Sequence, residues 1–401
     1  MKGPVMNRAV MNGSATPALT EETTDELLGR GYSRRDLFRI AAVFSVSAAA
    51  ATAGRPSWAS AGRPDPAPNA KVRIGSNECW TGPMAAGQMA AAEILSQCNR
   101  YEPRDQRDDF IATVMKIDQV PYDHVAPWPG SSDPLSRSVV TFCSPARGLV
   151  TADPTFELAG RTAEWLGAPV KRVPLKADYT HDVKAMLAAD SHAGLYYICT
   201  PNNPTGTVTP LADIEWLLAH KPAGSMVLID EAYTHFANVP TASYLVAADK
   251  DVIVLRTFSK IFGMAGMRMG FSMARPDILA KMMRYDGGMQ SGALPIPSLV
   301  CATASLTCKE QIAARRKEMR AARAMTFEHL TRRELTFIPS SANMFMIDWK
   351  TKPAHVMQAA FRTQSIEIGR SWPIWPTSSR VTVGSMAEMA AFCAALDKVW
   401  T

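Results

Sequence analysis

Three short apolar runs, each ending in a polar cluster, constrain the fold of this chain more than any other feature. Residues 194–198 run on to Asn202-Asn203-Pro204-Thr205-Gly206, residues 226–229 end in Asp230-Glu231-Ala232-Tyr233, and residues 252–255 end in Thr257-Phe258-Ser259-Lys260. Continuous apolar runs of this length are strands buried on both faces. Residues 138–142 are similarly short and apolar, and 148–150 lead into Asp153-Pro154-Thr155. Helical periodicity marks the intervening segments 158–166 and 211–219. Strands alternating with helices predict an α/β fold with a doubly wound, mostly parallel sheet. Such sheets bind ligands beyond the carboxyl ends of their strands, which is where the polar clusters lie.

The pattern changes after about residue 290. A long basic helical stretch (311–331), a strand-like run (343–347), a helix (354–363), a second strand-like run (380–383) and a terminal helix predict a smaller α+β domain. With 401 residues, 47% of them hydrophobic, two domains are the natural expectation. We divide the chain into an N-terminal tail with an export signal (1–61), a linker and arm joining the small domain (62–100), a large domain (101–289) and a small C-terminal domain (290–401).

Charge and cysteine usage exclude several classes. A net charge of +6 with 20% charged residues is a mild basic excess, and no cluster of five Lys/Arg occurs, so no nucleic-acid partner is expected. The seven cysteines are odd in number and scattered, which predicts buried or neutral thiols. The seven histidines lack ligand spacing, so no metal site is expected, and His235 reads as a structural neighbour of Tyr233.

Residues 1–32 read as polar and irregular. Ser33-Arg34-Arg35-Asp36-Leu37-Phe38-Arg39 follows, then an uncharged run over 40–53 that is short for a bilayer span and has the length of a signal-peptide core. Small residues at Ser57-Trp58-Ala59 and Ala59-Ser60-Ala61 offer cleavage sites. The segment resembles a twin-arginine (Tat) export signal, implying a periplasmic protein with no stable membrane anchor after cleavage. The alternative is an amphipathic or buried N-terminal helix on a cytoplasmic protein.

Lys260, flanked by hydroxyls and followed by Arg268, would alone pass for a surface lysine. In their order, the clusters at Gly130-Ser131-Ser132-Asp133, Asn202–Gly206, Asp230–Tyr233 and Thr257–Lys260 resemble the fold-type I, pyridoxal-phosphate (PLP) dependent aminotransferases of class I/II. The resemblance is to their histidinol-phosphate aminotransferase-like branch and spans about residues 73–384. It implies PLP as cofactor, held as an imine by Lys260, which then moves the substrate proton. Asp230 is placed to keep the pyridine nitrogen protonated. Asn203 and Tyr233 would hold the ring hydroxyl, and Phe156 would cover the ring face. Ser131, Ser132, Thr257, Ser259 and Arg268 would form the phosphate cup.

In Asn99-Arg100-Tyr101, Tyr101 would reach the phosphate of a neighbouring subunit, implying a homodimer; otherwise it is a core tyrosine. Arg380, in Arg380-Val381-Thr382-Val383-Gly384, would clamp the substrate carboxylate. Arg370 would meet the substrate's distal group, at a spacing shorter than in true histidinol-phosphate enzymes. Asn77-Glu78 matches the family, but Cys79-Trp80-Thr81 departs from it beside the substrate, which argues against histidinol phosphate. The segment Ser371-Trp372-Pro373-Ile374-Trp375-Pro376 is either a wall for a bulky side chain or a rigid surface loop with buried indoles. The implied activity is transfer of an amino group between an L-amino acid and a 2-oxo acid. A lyase or racemase on the same fold is the alternative, then an exported binding protein without catalysis.

Overall fold

The computed structural model describes residues 19–44, 71–286 and 294–400. Its strands, in chain order, are β1 (Val72–Ile74), β2 (Val125–Trp128), β3 (Leu149–Asp153), β4 (Val170–Pro174), β5 (Leu195–Cys199), β6 (Met226–Asp230), β7 (Val252–Thr257), β8 (Gly270–Met273), β9 (Thr336–Phe337), β10 (Met344–Asp348), β11 (Ile366–Ile368) and β12 (Ser378–Thr382). Seven form one sheet in the order β2-β8-β7-β6-β5-β3-β4. Within it β8 alone runs antiparallel to its neighbours, so the sheet is mostly parallel.

Alternation along the strands explains why the apolar runs are unbroken. Val252 and Val254 enter one core cluster with Val227, Ile229 and Ile198, while Ile253 and Leu255 enter another with Leu228, Tyr197 and Cys199. Both faces are covered, and each such buried aliphatic contributes roughly 1.5–3 kcal/mol. The helices Leu158–Trp165 and Leu211–His220 fall where periodicity predicts them.

Beyond this sheet, β12-β10-β9 form a small antiparallel sheet in which Met346 faces Arg380. β1 pairs in parallel with β11, Ile74 opposite Ile368, so the chain just before Gly75 and Asn77 is tied to the C-terminal part of the molecule. The expected boundary at 289/290 lies outside the described residues.

Two expectations are corrected. Residues 138–142 are the second half of the helix Ser132–Phe142. Their β-branched content suits a strand, but an Asp133–Arg137 pair one turn apart at 2.9 Å supports the helix, and Arg137 is wholly buried over the Trp128 ring.

The N-terminus is not irregular either. Thr20 caps a helix over Glu21–Gly29, its side chain accepting from Thr23 N–H, with Glu21 and Glu22 in the first turn. A second helix, Arg34–Phe44, starts at the twin arginines. Leu27, Tyr32 and Ile40 are buried in the cluster that holds Val139, Leu279 and Met282. Arg30 donates to the Val140 and Cys143 carbonyls at 2.9 and 2.7 Å, Tyr32 donates to Cys143 O at 2.6 Å, and Glu26 pairs with Arg284. The uncharged run past residue 44 and both cleavage sites lie outside the described residues.

Candidate active site

Strands β6 and β7 are neighbours, with Asp230 opposite Leu255. Asp230 ends one and Lys260 follows the other, so strand pairing delivers carboxylate and amine to the same edge of the sheet. The Lys260 Nζ lies 5.4 Å from the centre of the Tyr233 ring. Burial, then the nearby positive charge of Arg380, lowers the Lys260 pKa to about 8, with Glu78 and Asp230 opposing. An amine with that pKa keeps a far larger neutral fraction near physiological pH than an ordinary lysine, and that fraction can act as a nucleophile.

Asp230 is 3% exposed. Burial pushes its carboxyl above the usual range, and a hydrogen bond from Tyr197 pulls it back. One oxygen accepts from Tyr197 Oη at 2.9 Å and the other from Ala232 N–H at 3.1 Å. Tyr197 was not singled out in the sequence. It sits inside an apolar run, where a tyrosine reads as core, and only the β5–β6 register puts its hydroxyl against Asp230.

Tyr233 and Asn203 are both buried. Tyr233 Oη accepts from Asn77 Nδ2 at 3.1 Å, which leaves its own O–H free to donate. Burial, as the main cause, holds that hydroxyl protonated. Asn77, in a left-handed conformation, is fixed in turn by Thr382, whose hydroxyl accepts from Asn77 N–H at 2.8 Å. Arg380 comes from β12 and donates to Asn203 Oδ1 at 2.8 Å and Gly75 O at 2.7 Å; its buried Nε has no partner among the described residues. Asn202 ties this loop to the one before Phe156, accepting from Thr155 at 2.7 Å and donating to Pro154 O at 3.1 Å.

An anion cradle lies at the start of the helix Ser132–Phe142, with Ser131 as its cap residue. The first N–H groups of a helix lack intrahelical partners and carry partial positive charge. Gly130 has φ +91°, and a Cβ there would come within 2.5 Å of Arg268 Nη2. Only glycine lets the guanidinium approach this backbone. Arg268 itself holds φ +53°, an uncommon conformation for a side-chain-bearing residue. Its Nη1 donates to Ala265 O at 2.9 Å, and the Thr257 hydroxyl donates to Ser259 Oγ, also at 2.9 Å.

Phe156 is half-buried against the core cluster behind the loop that follows β3. Its neighbour Glu157, which sequence reasoning passed over, holds Arg370 with both carboxylate oxygens, at 3.1 and 2.6 Å. Arg370 lies 4.1 Å over the Trp372 ring, and Arg380 5.6 Å from it. Trp372 is buried, and Trp375 meets Tyr179 edge-on at 5.9 Å. Tyr101 is 96% exposed, so it is not a core tyrosine. His235 packs edge-on against Phe262, as a structural residue does. Among the described residues no group of three or more His, Cys, Asp or Glu could hold a metal ion, and no helix is long and apolar enough to cross a membrane.

These residues fit PLP. The cradle that a Cβ at Gly130 would fill matches a phosphate dianion, Asp230 matches a pyridinium, and the depressed Lys260 amine matches an aldehyde.

The comparisons agree with this geometry. Residues 69–396 match the model of the family "Aminotransferase class I and II". A histidinol-phosphate aminotransferase of Symbiobacterium thermophilum is 31% identical over 327 residues, 81% of this chain and 89% of the relative. An aromatic amino acid aminotransferase of Rhodococcus jostii is 30% identical over 80% of this chain and 88% of its own. The fold matches the solved histidinol-phosphate aminotransferase of Sinorhizobium meliloti in complex with pyridoxal-5'-phosphate, with a TM-score of 0.74, 22% identity, and coverage of 82% of this chain and 91% of that one. A family match across most of the chain, on a fold-type I scaffold whose strand ends carry the residues PLP requires, makes this protein an aminotransferase of class I and II, a PLP-dependent transaminase.

Proposed function

We propose that the enzyme moves an amino group between an L-amino acid and a 2-oxo acid at the site around Lys260. PLP, when bound, supplies the electron sink that makes the substrate Cα–H acidic. Lys260 is the residue that holds the cofactor and, once displaced by substrate, carries the proton at Cα. Its placement beside Asp230 and the Tyr233 ring, where burial and Arg380's charge depress its pKa, is the observation that carries the reading. Asp230, steadied by Tyr197 and Ala232, keeps a negative charge against the ring nitrogen. Tyr233 donates its free O–H to the ring oxygen, and Asn203 bonds beside it. Ser131, Ser132, Thr257, Ser259 and Arg268 hold the phosphate, and Phe156 borders the ring. Arg380 reads the α-carboxylate, exchanging its bonds to Asn203 and Gly75 for a charged partner.

The test is a single-turnover half-reaction. Purified enzyme mixed with individual amino acids is followed by the absorbance of the bound cofactor. Complete conversion to the amino form by at least one L-amino acid is expected. Conversion by none, with release of ammonia or loss of chirality instead, would favour the lyase or racemase reading.

Two further proposals concern the setting. A fully exposed tyrosine suits a partner-facing position, which supports a homodimer in which Tyr101 reaches the neighbouring subunit's phosphate. Export through the Tat route to the periplasm is supported by Arg34 and Arg35, both exposed at the start of a helix on the folded domain. Cleavage near residues 59–61 would release Leu27, Tyr32 and Ile40 from their cluster. Replacing Arg34-Arg35 by Lys-Lys should abolish periplasmic recovery; unchanged recovery would overturn the export proposal.

A further inference from the structure

We infer that Glu157 sets the side-chain specificity by occupying Arg370, so that the pocket takes amino acids and 2-oxo acids whose side chain carries no negative charge. The inference deepens the aminotransferase reading and rests on it. It also assigns the acceptor class: monoanionic 2-oxo acids such as pyruvate or phenylpyruvate, not dicarboxylic ones such as 2-oxoglutarate.

The charges at the site decide this. Among the described residues, Arg380 hydrogen-bonds to the neutral oxygens Asn203 Oδ1 and Gly75 O, and its Nε has no partner. Its charge is available to one incoming carboxylate. Arg370 differs. Both Glu157 oxygens hold its terminal nitrogens, at 3.1 and 2.6 Å, which is the two-pronged arrangement a substrate carboxylate would otherwise take. Glu157 is held a second time by Arg161, which donates to its Oε2 at 3.0 Å. Arg370 and Glu157 retain only 27% and 28% of their side-chain exposure, so water screens the pair partially. A second substrate anion would have to break this pair and then lie beside the displaced Glu157 carboxylate.

Position makes the pair relevant to the substrate. Arg380 N–H donates to the Arg370 carbonyl at 3.0 Å, and both guanidinium groups face the Trp372 ring, at 4.1 and 5.6 Å. The neutralised pair thus borders the place where a substrate held by Arg380 extends its side chain. Trp372 shares an apolar cluster with Ile338 and Met346, against which Tyr179 and Trp375 pack. The Arg380 cation, a cancelled pair and indole surfaces together are complementary to a carboxylate carried on an uncharged, preferably aromatic, side chain.

The test measures binding and turnover side by side. Calorimetry on the PLP-loaded enzyme gives Kd for 3-phenylpropionate, a monoanion, and for glutarate, a dianion. The wild type should bind 3-phenylpropionate at least about tenfold more tightly, the ratio of one unfavourable like-charge contact. Glu157→Gln keeps the shape and removes the charge, so the preference should shift toward glutarate by about tenfold or more on the same scale. Equal wild-type affinities, or an unshifted preference in a folded, PLP-loaded Glu157→Gln enzyme, would overturn the inference. The wild-type comparison needs no variant. In parallel, the amino form of the wild type should be reoxidised to the PLP form faster by phenylpyruvate than by 2-oxoglutarate, and the reverse order would also overturn it. Failure of every amino acid and every 2-oxo acid to convert the cofactor would instead defeat the transaminase assignment of the site.

Discussion

Replacing Tyr197 by Phe isolates one hydrogen bond at the centre of the site. Tyr197 Oη donates to an Asp230 oxygen at 2.9 Å, and both residues are buried, Tyr197 completely. The variant keeps the ring and its packing, and no bulk water stands ready to replace the lost donor. A hydrogen bond to a charged group contributes about 1.5–3 kcal/mol. The bond favours the ionised carboxylate, so its loss raises the Asp230 pKa further. The sign follows from burial, which already holds this carboxyl above its usual range. The folded apoenzyme therefore binds a proton that the unfolded chain has released, and its stability falls as pH rises from the unfolded to the folded value. Losing Tyr197 moves the upper end of that window toward neutrality. With PLP bound, a less readily ionised Asp230 is a weaker partner for the ring nitrogen. The single-turnover rate with L-phenylalanine should fall by roughly ten- to a hundredfold if most of the bond's contribution is expressed in the transition state. Stopped-flow absorbance measures it. A rate within twofold of wild type, with cofactor affinity unchanged, would refute the role given to Tyr197.

Two other expectations concern the amine and the N-terminus. Because the Lys260 pKa lies at about 8, the rate at which apoenzyme takes up PLP should climb with pH and level off above that value, since the neutral amine is the nucleophile; a plateau already reached below pH 7 would contradict this. The same depression makes the apoenzyme gain stability as pH rises from about 8 toward the ordinary lysine value of 10.5, because the unfolded chain holds that proton longer. Leu27 is wholly buried between the N-terminal helix and the large domain, so Leu27→Ala in the full-length chain should cost about 2–5 kcal/mol of the docking energy and lower the first thermal transition. An unchanged melting profile would show that the N-terminal helices do not contribute to the folded core.

The sheet and the strand-end residues were legible because burial on both faces leaves unbroken apolar runs, and the polar residues that follow such runs have few structural reasons to be there. Asp230, Asn203, Tyr233 and Lys260 stand out by their place after those runs, but their parts in the site, and that of Arg268, came from the resemblance to the family. What could not be read depends on register and on distance along the chain. Tyr197 is indistinguishable from core until β5 is paired with β6. Glu157 shows an i, i+4 partner in Arg161, but its contact with Arg370 joins positions 213 residues apart. Residues 138–142 misled because β-branched residues are tolerated in a helix once tertiary packing buries it. The N-terminal helices misled because the segment reads as a polar leader, while its anchoring contacts, such as that of Tyr32 with Cys143, join positions more than a hundred residues apart.

The central claim is that Lys260 carries the cofactor, and borohydride reduction of the PLP-loaded enzyme, followed by proteolysis and mass spectrometry, tests it most directly. Reduction fixes the cofactor to whichever lysine holds it. The account predicts one pyridoxyl adduct, on the peptide that contains Lys260. An adduct on a different lysine, or none on an enzyme that still transaminates, would contradict it.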